Sequence, residues 1–178
     1  MALSERNGER QEAFDREAPL DDLDWRILEA LQENARTTFS ELGRRISLTP
    51  PAVAERVRRM EDSGVITGYR VELDHGRVGL PILAFVRLRA AGDIKCLELG
   101  ELTKDIPEIL ECHRVTGEDS YIVKVAVRSV EHLERLVDSL MPYAETVTSL
   151  VFSSPVTGRA VRPPARTRPT SRRARRSS

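Results

Sequence analysis

From residue 20 onward the apolar positions recur at helical spacing. Leu20, Leu23, Ile27, Leu28 and Leu31 form one stripe, and Asp21, Asp22 and Asp24 supply the acids that suit a helix N-terminus. Asn34 stops this helix. Thr38 and Glu41 stand at capping-box spacing, where hydroxyl and carboxylate satisfy orphan amides reciprocally, and Phe39, Leu42 and Ile46 make the inward face of a short second helix. After the turn Ser47-Leu48, Thr49 serves as N-cap of a third helix. Pro50 and Pro51 fall in its first turn, where the missing N–H was unpaired anyway. Val53, Val57 and Met60 form its buried stripe, Gly64 takes the C′ position, and the β-branched run 65–73 predicts a strand.

The rhythm changes past residues 75–79. Residues 80–89 read as a strand, and 93–104 as a helix with Ile94, Leu97 and Leu102. Residues 109–115 and 121–128 read as strands around the polar turn Gly117-Glu118-Asp119-Ser120. Val130, Leu133, Leu136, Val137 and Leu140 mark a second amphipathic helix, and 147–152 a last strand. The order βαββαβ is the ferredoxin-like arrangement. Both helices cover one face of such a sheet; the other face calls for a second subunit, so a homodimer is inferred. The expected class is α+β: a flexible arm at 1–19, a helix-turn-helix DNA-binding domain at 20–73, a linker at 74–79, a ferredoxin-like ligand-binding and assembly domain at 80–156, and a disordered Arg-rich tail at 157–178.

Three short helices with a tight turn before the third make a helix-turn-helix, whose third helix presents its N-terminal half to the major groove. Advancing about 100° per residue from Val53 turns Ala52, Glu55, Arg58 and Arg59 outward and leaves Arg56 on a flank. Thr49, Pro50 and Pro51 sit at the leading end, and Arg36, Arg44 and Arg45 precede it. These eleven residues are the expected contact set for double-stranded DNA. Residues 36–59 hold six Arg against Glu41 and Glu55, a local charge of +4. Glu55 and Arg59 also have the i,i+4 spacing of a pair that merely solvates a helix.

Charge matters here because the whole-chain value conceals it. Lys+Arg and Asp+Glu are both 28, yet the last twenty residues hold eight Arg and no acid, so the remainder carries −8. The tail reads either as an arm making nonspecific phosphate contacts or as a solubilising extension. No apolar run reaches the ~18 residues of a membrane span, and the first residues lack a secretory h-region. Cys96 and Cys112 form no CxxC motif, which fits a reducing cytoplasm. His75, His113 and His132 are far apart and show no metal spacing, and no GxSxG elbow exists. No cofactor, metal or catalytic residue is expected.

At these residues the sequence resembles the Lrp/AsnC (feast/famine) transcriptional regulators. Leu23-Asp24-Trp25-Arg26-Ile27-Leu28 is similar to the family's LDxxDxxIL opening. Leu48-Thr49-Pro50 with Arg56-Val57 and Met60-Glu61 is similar to its recognition helix, and Gly64-Val65-Ile66-Thr67-Gly68-Tyr69 to its GxIxGY wing. Cys112-His113-Arg114-Val115-Thr116-Gly117 resembles the C-x-x-V-[TS]-G run before a β-turn, although Ser120 stands where the family usually places Asp. The resemblance implies a winged helix-turn-helix, sheet-mediated dimers assembling further into forms such as octamers, and an amino acid or related effector bound near that turn. The implied effector set is Val115, Thr116, Gly117, Glu118, Asp119, Ser120 and Tyr121, with Thr148 and Ser149 from a neighbouring dimer. Turn amides there suit a carboxylate, and Glu118 or Asp119 an amino group. Two other functions are weighed against this one. An architectural protein that wraps DNA would draw on the basic tail. A sirohaem-decarboxylase-like enzyme shares the two-block layout, with His113 as pocket base.

Overall fold

The structure, a computed structural model, describes residues 20–91 and 96–163. The expected arm at 1–19, Ile94 with the start of its helix, and residues 164–178 of the expected tail lie outside the described residues. The chain forms two compact units: one up to Arg70 together with the segment from Gly158, the other Val71–Thr157.

The first unit contains α1 (Asp22–Glu33), α2 (Phe39–Ile46) and α3 (Pro50–Asp62). Two capping boxes start α1 and α2, Asp21 with Asp24 and Thr38 with Glu41. The core is aliphatic: Ile27, Ala30, Leu31, Leu42, Ile46, Val53, Val57 and Met60 pack together, with Leu20, Leu23, Leu28, Leu48 and Ile66 at its margin. Phe39 departs from expectation. It is the first residue of α2 and remains exposed, because Leu42 and Ile46 already fill that face. The expected strand at 65–73 is also absent. This stretch makes no ladder, and Tyr69, Val71 and Leu73 are exposed. A strand exists only with a partner, and no other strand lies among the first unit's described residues. Among the described residues the helix-turn-helix therefore carries no wing strand.

The second unit is a four-stranded antiparallel sheet in the order β2-β3-β1-β4. Its elements are β1 (Ile82–Ala90), α4 (Cys96–Leu102) with a 3-10 turn (Thr103–Asp105), β2 (Ile109–Arg114), β3 (Tyr121–Val127), α5 (Val130–Leu140) and β4 (Ala144–Leu150). Alternation assigns the faces. Ala84, Val86 and Leu88 of β1 and Tyr121, Val123, Val125 and Val127 of β3 pack under Leu99, Leu133, Leu136 and Leu140 from the helices. On the opposite face Phe85 and Val147 are exposed, and Arg87, paired in register with Val147 and Ile122, lies between apolar neighbours. Within α4 the inward residue is Leu99, whereas Leu97 and Leu102 are exposed. The last strand starts three residues earlier than expected and ends two earlier. Ala144 pairs with Ala90, and Phe152 lies beyond the ladder, fully exposed.

Candidate DNA interface and effector turn

The turn between α2 and α3 sets the approach of the recognition helix. Ser47 adopts a left-handed conformation at the end of α2, and its N–H returns to the Gly43 carbonyl. Gly43 is buried beneath the turn: any Cβ there would collide with the Leu48 carbonyl oxygen. The requirement for glycine is thus one of close approach, a signal that spacing alone does not carry. Thr49 occupies the N-cap of α3, but its side chain makes no capping bond, contrary to expectation. Pro51 at N2 removes one of the two donors such a cap would serve, and the Val53 N–H is taken by the Thr49 carbonyl at 3.1 Å. The leading turn of α3 therefore presents an unengaged hydroxyl.

Behind that turn the acids of α1 fold back onto α3. The Asp24 carboxylate is 1% exposed and takes three donors: one oxygen accepts from Arg56 Nη1 at 2.7 Å, the other from Arg59 Nη2 at 2.7 Å and from the Asp21 N–H at 3.1 Å. Arg56 Nη1 also reaches Asp21 Oδ2 at 2.7 Å. Hydrogen bonds that Arg56 donates to Asp21 and then to Asp24 raise its pKa, fixing its charge. The Asp24 N–H, then Arg56, hold the Asp21 carboxyl below its ordinary range. Periodicity placed these acids outside the basic window and paired Arg59 with Glu55. In the structure Glu55 instead pairs with Arg58 at 3.1 Å, and Arg59 turns to Asp24. Arg56 and Arg59 thereby join α1 to α3.

Arg36, Arg44, Arg45 and Arg58 are exposed, as are Thr49, Pro50, Pro51 and Glu55, while Ala52 is half-buried. One further cation joins them. Arg26 of α1 donates to the Arg45 carbonyl at 2.7 Å, at the C-terminal end of α2. Its spacing on α1 was legible, but its long-range target was not.

In the second unit the turn between β2 and β3 is closed by Val115 N–H to the Ser120 carbonyl at 3.1 Å. It is held to β1 by Ser120 N–H to the Leu88 carbonyl at 2.8 Å, and by Ala90 N–H to Ser120 Oγ at 3.2 Å. Ser120 is therefore a fastening of the turn. Gly117, at φ +113°, supplies a conformation that L side chains rarely adopt. Glu118 pairs with Arg89 at 3.1 Å and Asp119 with Arg87 at 3.5 Å. Tyr121 lies instead on the helix-covered face, where burial and Cys96 raise its pKa and its phenol packs on Gly100. Thr148 and Ser149 are on β4, opposite Val86 and Phe85, with β1 between them and the turn. One chain thus gathers Val115 to Ser120 and leaves Tyr121, Thr148 and Ser149 apart. No three metal-ligating side chains cluster among the described residues, and no helix among them is long and apolar enough to cross a membrane.

These two arrangements have counterparts among known proteins. The AsnC-type helix-turn-helix domain model matches residues 20–61, and the Lrp/AsnC ligand binding domain model matches residues 83–161. A DNA-binding head followed by a ligand-binding domain defines a transcriptional regulator and not an enzyme. The HTH-type transcriptional regulator LrpC of Bacillus subtilis is 36% identical over 134 residues, covering 75% of this chain and 92% of its own. The chain belongs to the Lrp/AsnC family. Among solved structures, a transcriptional regulator of Neisseria meningitidis in complex with L-Met superposes with a TM-score of 0.75 at 28% identity, over 80% of this chain and 96% of that one. A feast or famine regulatory protein from M. tuberculosis complexed with L-methionine gives 0.77 at 31%, over 82% and 100%.

Proposed function

We propose that this chain is a sequence-specific regulator, acting in the cytoplasm, whose assembly or DNA affinity responds to a small effector, an amino acid. The observation that carries the DNA half is the unengaged leading turn of α3, flanked by exposed cations. Thr49, Pro50, Pro51 and Ala52 lead the helix into the groove, with Glu55 and Arg58 reading base edges. Arg36, Arg44 and Arg45 take phosphates. Arg56 and Arg59 belong to the same surface but act chiefly by holding α3 on Asp24. The effector half rests on the turn from Val115 to Ser120, with Tyr121 behind it and Thr148 and Ser149 brought by a neighbouring copy. The L-methionine complexes of two relatives support an amino acid as the effector. Phe85 and Val147 on the uncovered sheet face suit a homodimer, from which higher forms such as an octamer are built.

The test is genome-wide mapping of bound DNA, followed by titration of one bound fragment with each of the twenty amino acids. A discrete set of sites and a response to one or a few amino acids are expected, and Arg58→Ala should weaken that binding by ~1–3 kcal/mol. Diffuse binding with no effector response would point to a DNA-wrapping role instead, and no binding would end the reading.

A further inference from the structure

Just before β2, at the opposite end of that strand from the effector turn, the second unit has an open cavity of about 320 Å³ between the end of the 3-10 turn and α5. Its lining is apolar below. Leu136 belongs to the core, Ile106 packs against it, and Pro107 adds to the same wall. The polar groups fall into two sets. The first is already engaged. His132 Nε2 lies 2.9 Å from Glu108 Oε1, and the two side chains are only 14% and 23% exposed. A carboxylate can only accept, so Nε2 donates and Glu108 has its partner. The Glu108 carbonyl accepts from the Ala126 N–H at 3.0 Å, which fastens this wall to β3. The Ser139 hydroxyl donates to the Leu136 carbonyl at 2.6 Å. The second set is free. Asp105 closes the 3-10 turn and Arg135 lies on α5; both line the cavity and are exposed, and neither joins an ion pair among the described residues.

We propose that this cavity is a second small-molecule site, for an α-amino acid with an aliphatic side chain: Arg135 takes the carboxylate, Asp105 the ammonium, and Ile106, Pro107 and Leu136 the side chain. The lining dictates the chemistry. Free charges of opposite sign at one cavity suit a zwitterion, because a simple anion meets Asp105 and a simple cation meets Arg135. A guanidinium matches a carboxylate in a planar two-point pair. An apolar wall with a few polar groups is the usual make-up of a small-ligand site, and 320 Å³ falls at the lower end of the ~300–1,000 Å³ such sites span. Glu131, one turn before Arg135 on α5, is also drawn to this guanidinium, but it is exposed, so the ligand displaces a solvated competitor. The site does not rest on the effector turn, since none of residues 115–120 lines the cavity. A ligand here joins the segment before β2 to α5, and binding to the folded form alone raises its melting temperature.

The test is calorimetric titration of the full chain with L-valine, L-leucine and L-isoleucine. It is repeated in a chain carrying Glu118→Gln and Asp119→Asn, which removes the carboxylates of the turn and leaves the cavity untouched. That background chain should bind at least one of the three amino acids, with a raised melting temperature. Adding Arg135→Gln or Asp105→Asn should each weaken this binding about tenfold or more. Both residues are exposed, and a melt without ligand checks that the fold is kept. Two relatives of the bound amino acid should lose about as much: its amide, which lacks the carboxylate, and the matching carboxylic acid, which lacks the ammonium. Binding that survives Arg135→Gln and Asp105→Asn unchanged would overturn the proposal. So would equal binding of the amino acid, its amide and the acid, the mark of an apolar contact alone. If the unaltered chain binds but the background chain does not, the turn accounts for all the binding; the second site falls and the effector reading stands. If the unaltered chain binds none of the three, the second site falls, and the titration with all twenty amino acids decides the effector reading by itself.

Discussion

Each unit of the molecule carries a cluster of arginine and carboxylate, and the two differ in depth. In the first, Asp24 is 1% exposed and its carboxylate accepts from Arg56, Arg59 and the Asp21 N–H. In the second, Arg89 forks between Glu118 and Glu145 at 3.1 and 3.5 Å, with the two carboxylates 90% and 72% exposed. The second cluster's ion pairs are also longer than the 2.7 Å pairs of the first, and the energetics differ with the depth. A buried carboxylate that loses its partners cannot fall back on water, whereas an exposed one can. The first cluster therefore fixes the angle between α1 and the recognition helix. The second leaves the turn able to exchange partners, as a site that accepts a charged effector requires.

The largest effect should come from removing the buried member. Asp24→Ala removes the buried acceptor shared by Arg56 and Arg59, leaves Arg56 with Asp21 alone, and should cost the first unit about 3 kcal/mol. Asp24→Asn keeps one oxygen and should cost less. Thermal melts of the two variants check this. A loss below about 1 kcal/mol for Asp24→Ala would mean that the cluster is solvated like its counterpart, and the contrast would collapse.

Acid should separate the units less sharply. The Thr38 N–H and hydroxyl hold the Glu41 carboxyl below its ordinary 4.5, and the Asp24 N–H holds Asp21 below 3.8. In the second unit Lys124 and His113 do the same for Glu111. A depressed folded pKa contributes stability that is complete above the ordinary value and is lost as pH falls through the folded one. Melting temperature should therefore fall as pH drops below about 4.5. The double variant Asp21→Asn with Glu41→Gln should blunt that fall in the first unit, whose two helix starts depend on these carboxylates. An unchanged acid limb in that variant would place the loss elsewhere.

Much of this was legible in the sequence, for reasons that individual residues make plain. Val53, Val57 and Met60 obey the helical period, and Val123, Val125 and Val127 the period of a strand, so the three helices and the βαββαβ order follow from local pattern. What needs a distant partner was not legible. Asp24 reads as a helix-start acid, and only the folded chain shows it beneath Arg56 and Arg59. The 65–73 run has strand composition but lacks a strand beside it. Gly43 reveals its purpose only when Leu48 is placed above it. At the candidate sites the sequence identified the exposed cations and the polar turn but not which arginines were already engaged.

The smallest expected effect on stability belongs to Arg89→Ala. Its partners are exposed, Arg89 itself is 48% exposed, and the turn keeps its backbone fastening through Ser120. Surface pairs of this kind contribute ~0–1 kcal/mol, so the melt of the second unit should barely move. The response to an amino acid should move more, because Glu118 is then released from β1 and the field at the turn becomes more negative. Comparing the melt with the effector titration of the same variant separates the two roles. A large stability loss would make the cluster a structural lock like Asp24. A small loss with an unchanged effector response would take Glu118 out of the site, leaving Asp119, paired with Arg87 and only 21% exposed, as the carboxylate to test next.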